Sequence, residues 1–194
     1  MAETAVQESV ANTKKPQCKR LAPEDWIRAA IEALLAEGTT GLRIASLARR
    51  LGVTPGSFYW HFRDRGQFRS RVLQYWREQM LLRAAAAAEL AGSGADQLRA
   101  LPEILMNRSL PKLDLAMRRW AVEDPVVSTA LARADGLRFR VVLAMFLAAG
   151  FDEHRAKQRA RLVGWAFRGS SGVDDQERLI ALRELIEALL HDAG

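Results

Sequence analysis

Ser57, Tyr59, Trp60 and His61, followed by Arg63 and Arg65, gather a hydroxyl, a phenol, an indole N–H, an imidazole and two guanidinium groups into one short stretch. Such groups recognise rather than react. They donate hydrogen bonds and positive charge to a partner rich in acceptors, such as a phosphate. Covalent chemistry has no matching set: His61, His154 and His191 lie far apart, there is no nucleophile elbow or glycine-rich phosphate loop, and one cysteine leaves no Cys/His metal spacing. Neither an enzyme nor a bound cofactor or metal is expected.

The elements that must hold these residues are legible around them. In Leu42 to Phe62, LRIASLARRLGVTPGSFYWHF, the positions Ile44, Leu47, Ala48 and Leu51 recur at the spacing of one buried helix face. Gly52 permits a turn, Thr54 is a good N-cap and Pro55 suits a first helical position. At about 100° per residue Phe58 and Phe62 share a second buried face, leaving Gly56, Ser57 and Trp60 outward with Tyr59 and His61 beside them. Two helices around a glycine turn make a helix-turn-helix. Small residues let its second helix enter a major groove closely, while Tyr59, Trp60 and His61 reach phosphate oxygens on the walls. Such a pair also occurs as ordinary packing, so the charge distribution matters. The net charge of +6 sits entirely in residues 1–83, with 14 Lys/Arg against 8 Asp/Glu, whereas residues 84–194 balance at 15 and 15. That asymmetry is an electrostatic footprint for a polyanion.

Leu47-Ala48-x-x-Leu51-Gly52-Val53-Thr54 followed by Phe58-Tyr59-Trp60-His61-Phe62 resembles the tetracycline-repressor (TetR) family of bacterial transcription regulators. The motif identity covers residues 21 to about 80, and the rest is similar in length and helical pattern. The resemblance implies a three-helix domain that binds double-stranded operator DNA, and a larger helical domain that dimerises and binds a small-molecule effector. Carried over by position, it implies operator contacts at Arg43 and Ala45, along Thr54, Pro55, Gly56, Ser57, Tyr59, Trp60 and His61, and at Arg65. Two departures stand out. Arg43 occupies a place where a capping Thr or Ser is common, and a cation there opposes the helix dipole by roughly 0.3 to 1 kcal/mol unless an anion neutralises it. Gly56 offers no side chain for base readout, which shifts specificity toward Ser57, Tyr59 and DNA shape.

The rest of the chain reads as helix. Pro23 opens a first helix, with Leu21 placed to staple against Trp26, and Gly38 closes it; Ile27, Ala30, Ile31 and Leu34 supply its covering face. A linking helix follows over 65–90. Segments at 96–107, 111–122, 125–150, 153–167 and 175–191 come after it, punctuated by proline and glycine. No stretch alternates with period two and no long repeat occurs, so the fold expected is all-α: a basic disordered arm at 1–20, a helix-turn-helix domain at 21–64, and an effector-binding and dimerisation domain at 65–194. The arm carries Lys14, Lys15, Lys19 and Arg20 and is given an auxiliary role along the DNA backbone or minor groove. Cys18, a lone cysteine in a polar tail, excludes an intrachain disulfide and fits a reducing cytoplasm. The longest apolar run, 141–150, is about half what a bilayer requires.

A homodimer is expected through the last two helices, where Leu162, Val163, Ala166 and Phe167 line one side and Leu179, Leu182, Ile186 and Leu189 step at helical spacing. Either stripe is also consistent with intrachain core. A dimer would set two reading helices roughly 34 to 36 Å apart, the spacing of successive half-sites. For the effector, the aromatic and methionine-rich middle nominates Trp76, Met106, Trp120, Phe139, Phe146 and Trp165, with Arg118 and Arg119 beside Trp120 as contacts for an anionic or aromatic molecule. The function expected is ligand-responsive repression at an inverted-repeat operator. The alternatives are a weakly specific architectural DNA binder and a helical interaction module without operator binding.

Overall fold

Proline and glycine mark most of the helix ends, as the sequence predicts. The computed structural model describes residues 21–89, 92–106, 110–169 and 174–191; the arm at 1–20, with Cys18 and its four basic residues, lies outside them. Eight α-helices and no strand occur among the described residues. α1 (Pro23–Glu37) begins with proline at its first turn, and the Asp25 carboxylate accepts the Ala22 N–H at 2.9 Å. It stops at Gly38, whose φ of 67° suits a residue without a Cβ. A 3₁₀ turn over 38–42 leads into α2 (Ile44–Leu51), which buries Ile44, Leu47 and Ala48. Gly52 ends α2 in the left-handed region, and the Val53 N–H then bonds the Ala48 carbonyl at 2.9 Å.

The element expected as a second α-helix is a 3₁₀ segment, Pro55–Trp60. Proline contributes no N–H, glycine is a poor helix former, and the bulky Phe-Tyr-Trp run loses side-chain freedom in an α-helix. The Thr54 hydroxyl does not cap it; the Ser57 N–H bonds the Thr54 backbone carbonyl instead, at 3.0 Å. α3 (Arg65–Ala88) follows at once and has a cap that the sequence reading did not single out. Asp64 accepts the Gln67 N–H at 2.7 Å, and the Gln67 side chain reaches back to accept the N–H of Arg63, the residue before the cap, at 2.6 Å. The Gln67 amide bond, and after it the Arg63 guanidinium donating to the same carboxylate at 3.0 Å, hold the Asp64 carboxyl below its ordinary range.

α4 (Gly94–Met106), α5 (Leu110–Glu123), α6 (Pro125–Ala148), α7 (Glu153–Gly169) and α8 (Asp175–His191) complete the chain. α6 packs against α3, α4, α5 and α7, and α4 packs also on α8. α3 and α6 run in the same direction. Arg69 reaches Asp124 at one end of the pair, and Arg138 reaches the Met80 sulfur, farther along both helices.

Two apolar cores result. The first gathers Trp26, Leu47 and Phe58 with Phe68 and Trp76 of α3, Met117 and Trp120 of α5, and Val127 and Leu131 of α6. It therefore runs continuously past residue 64. The second joins Leu98 and Leu101 to Met145, Phe146, Phe151, Val163 and Ile186.

Candidate nucleic-acid interface and ligand cavity

The exposed recognition face is built from the inside. Phe58 is fully buried at the middle of an aromatic group, its ring centre 5.4 Å from Trp26, 5.1 Å from Phe62 and 5.2 Å from Phe68. The edge-to-face packing on Trp26 and Phe68 fixes ring orientation as well as burying area. With Phe58 and Phe62 anchored, the residues between them must turn outward. Trp60 is 87% exposed and Tyr59 is 61% exposed. A tryptophan left this bare in a folded domain is uncommon, because the ring is among the largest apolar surfaces a chain can bury.

The other candidates extend this face. Arg43, Ala45, Thr54, Pro55, Gly56 and Arg65 are exposed, while Ser57 and His61 are half-buried. None of the ten lies in the interior. Arg43 stands at the N-cap of α2 without a side-chain cap bond, so the positive end of that helix and the guanidinium sit together. That pairing is unfavourable in isolation and favours an anion between them.

A cavity of about 670 Å³ opens between α3 and α6, in the gap between the two cores. Leu73, Trp76, Met80, Leu101, Ala134 and Phe167 are among the side chains that line it. Of the six aromatic and methionine candidates, Trp76 lines this cavity, and Phe139 lines a smaller one of about 140 Å³. Trp120 and Phe146 belong to the cores, Trp165 is exposed, and Met106 is half-buried off both linings.

Arg118 is not a free ligand contact. It donates to Asp114 at 2.8 Å and to both Asp135 oxygens at 2.9 and 3.0 Å, and Arg138 pairs with the same two carboxylates. Burial opposes charge on Asp135, but the hydrogen bond and charge of Arg118, with Arg138 behind it, hold its carboxyl below the ordinary range. Burial likewise opposes the Arg118 charge, and Asp135 with Asp114 raises it above the usual arginine value. This four-residue network was overlooked in the sequence, although Asp114/Arg118 and Asp135/Arg138 stand at the spacings of paired charges on a helix.

On the last two helices, Val163, Phe167, Leu182 and Ile186 are buried within the protomer, and Ala166, Leu179 and Leu189 are half-buried. Of the eight interface candidates Leu162 alone is exposed. The large apolar groups left on the outside of these helices are Leu162, Trp165 and Ile180. Among the described residues no helix is long and apolar enough to cross a membrane.

Residues 27–72 match the model for bacterial regulatory proteins of the tetR family. A curated relative, the class A tetracycline repressor protein from transposon 1721 of Escherichia coli, is 46% identical over 46 residues, 24% of this chain. That match spans only 21% of the relative's own length. Among solved structures, a TetR-family transcriptional regulator from Streptomyces coelicolor superposes with a TM-score of 0.74 at 16% identity, covering 88% of this chain and 94% of the other. A transcriptional regulator from Saccharomonospora viridis, solved in complex with choline, gives 0.74 at 15% identity over 85% and 95% of the two chains. At these identities the superpositions speak to fold alone. Residues 27–72 thus share the motif of the bacterial regulatory proteins of the tetR family, and the chain shares the helical fold of the solved regulators it superposes on.

Proposed function

We propose that this chain is a sequence-specific DNA-binding transcriptional regulator, a ligand-responsive repressor that grips an inverted-repeat operator as a homodimer. The observation that carries the reading is the contrast within one short segment: Phe58 and Phe62 are buried while Tyr59 and Trp60 between them stand in solvent. Docked in a major groove, that segment brings the Tyr59 hydroxyl, the Trp60 N–H and His61 to phosphate oxygens, with Arg43 and Arg65 as further phosphate contacts. Ser57 and the bare backbone at Gly56 approach the base edges. Residues 21–64 form the reading unit and residues 65–194 the regulatory one, and the protein works in the cytoplasm, where its duplex is.

The regulatory unit takes a small molecule in the cavity between α3 and α6. Support comes from its size, within the range of ligand pockets, and from the choline held by the Saccharomonospora viridis regulator of like fold. Effector binding that prefers one arrangement of α3 by about 1 to 3 kcal/mol would change the half-site spacing and release the operator. The dimer forms through α7 and α8.

The test is to select preferred duplexes from a random pool with the full chain. An enriched inverted repeat with half-sites one helical turn apart is expected. Enrichment of single sites, or of none, would overturn the reading.

A further inference from the structure

We propose that the cavity between α3 and α6 takes an amphipathic organic anion, an apolar body carrying a carboxylate, sulfonate or phosphate, with Arg77 and Arg133 receiving the charge. The inference rests on the reading of this cavity as the effector site and adds the chemistry of its occupant.

The lining is one-sided in charge. Five arginines line it, at 77, 83, 133, 138 and 140, and no aspartate or glutamate joins them among the described residues. Arg138 is already neutralised by Asp114 and Asp135. Arg77, Arg133 and Arg140 are exposed and have no ion-pair partner among the described residues. Below the arginines the floor is apolar, from Leu73, Trp76 and Met80 on one helix to Ala134 and Val141 on the other.

The register of the two helices brings a pair of these cations to one level. Counting from the Arg69–Asp124 contact, Arg77 lies eight residues up α3 and Arg133 nine residues up α6. At 1.5 Å per residue they stand about 12 and about 13.5 Å from that contact, on helices that run the same way. Two arginines whose backbone positions stand at nearly equal height on facing walls can bring their guanidinium groups to one anionic head. Carboxylates, sulfonates and phosphates match the planar donor fork, and a low-dielectric floor strengthens the attraction. A cation of equal size would meet like charge on both walls.

The experiment titrates the full chain by calorimetry with decanoate, decanol and decyltrimethylammonium, each below its micelle concentration, so that only the head differs. Decanoate is expected to bind at least about tenfold more tightly than either of the others, the worth of one hydrogen bond to a charged group. The double variant Arg77→Gln/Arg133→Gln should lose that preference while keeping the affinity for decanol and the melting temperature. Ala130→Phe, which puts a ring in the cavity, should abolish binding of all three; Leu137→Trp serves if the first variant misfolds. Equal affinity for the three heads, or tighter binding of the ammonium, overturns the anion while the cavity-filled variant keeps the site itself in place. Binding that survives cavity filling, or no binding by any of the three, overturns the effector site and this inference with it.

Discussion

The Arg69 guanidinium on α3 donates to the Asp124 carboxylate at the head of α6, 2.7 Å away and 55 residues on in the chain. The same carboxylate caps α6, accepting the Val126 N–H at 2.9 Å and the Val127 N–H at 3.4 Å. Burial works against its charge, yet the Arg69 bond and the two amides hold its carboxyl below the ordinary range. One end of this contact lies at the foot of α3, directly after the recognition segment, and the other opens the helix that forms the far wall of the cavity.

Two substitutions separate its parts. Asp124→Asn keeps an N-capping side chain and removes the ion pair, so it should cost less than about 1 kcal/mol of stability. Asp124→Ala removes both and should cost roughly 1 kcal/mol more. Chemical denaturation resolves the difference. If Asp124→Asn proved as damaging as Asp124→Ala, the carboxylate charge rather than the cap would be the main contribution.

Trp60→Ala and Tyr59→Ala should leave stability within about 0.5 kcal/mol of the parent, because both side chains are largely in solvent. Each should weaken operator binding by about tenfold or more, the loss of a hydrogen bond to a charged phosphate. Phe58→Ala should behave in the opposite way, costing about 3 to 5 kcal/mol of folding free energy. Melting curves and fluorescence anisotropy on a selected duplex distinguish the two classes. A Trp60 variant that melts early and binds normally would reverse the assignment of faces.

Much of this site is legible without coordinates, since Phe58 and Phe62 are four residues apart and the α-type bond from the Phe62 N–H to the Phe58 carbonyl, 3.0 Å long, keeps them on one face and turns the residues between them outward. The type of turn is less legible: 3₁₀ and α differ only in whether each N–H bonds three or four residues back, and the Pro-Gly start tips that balance weakly. Helix ends at Pro23, Gly38, Gly52 and Pro125 follow from backbone chemistry and are where the sequence puts them. The cavity is another matter. It lies between α3 and α6 against residues of both cores, a relationship of elements distant in sequence, and of the six aromatic and methionine residues nominated from the sequence Trp76 lines it. The terminal helices pose a related question. A stripe such as Leu182 and Ile186 records that a face is buried, not whether the burying surface is the same chain or a second one.

Gly94 and Gly38 should respond differently to alanine. A Cβ on Gly94 would overlap the backbone of Met145, Ala148 and Ala149 at the end of α6. That clash cannot be relieved by turning a side chain, so Gly94→Ala should cost at least about 1 to 3 kcal/mol. At Gly38 nothing lies within 4 Å of an added Cβ, and only the backbone resists, at a φ of 67° and ψ of −153° that favour glycine, by about 1 to 3 kcal/mol. A Gly94→Ala chain that melts as the parent does would contradict the close approach of α4 to α6.

Acid should expose the buried ion network. Asp135 is held below the ordinary aspartate range in the folded chain, so its contribution is fully present above the unfolded value and is lost as pH falls through the folded one. The affected window is therefore below about pH 4. Asp135→Asn should be destabilised by about 1 to 3 kcal/mol at pH 7, and its deficit against the parent should shrink as the solution is taken below pH 4. A deficit that stays constant from pH 7 to pH 2 would mean that the Arg118 and Arg138 pairing contributes nothing through charge.

Leu162 and Trp165 stand three residues apart on α7, one turn of the same face, and are 42% and 58% exposed; Ile180 on α8 is 51% exposed. A solvated face on two packed terminal helices has little reason to keep these groups bare, and a second copy of the chain would cover them. Trp165→Glu should then convert the dimer to a folded monomer, with an unchanged helical circular dichroism signal and half the mass by light scattering. Operator affinity should fall with it, because a single reading segment loses the second half-site. Ile186→Glu should instead unfold the chain, since that side chain is buried inside the protomer and an unpaired carboxylate there costs several kcal/mol. If Ile186→Glu yielded a folded monomer and Trp165→Glu left the dimer intact, the contact surface would have to lie elsewhere than the outer face of α7.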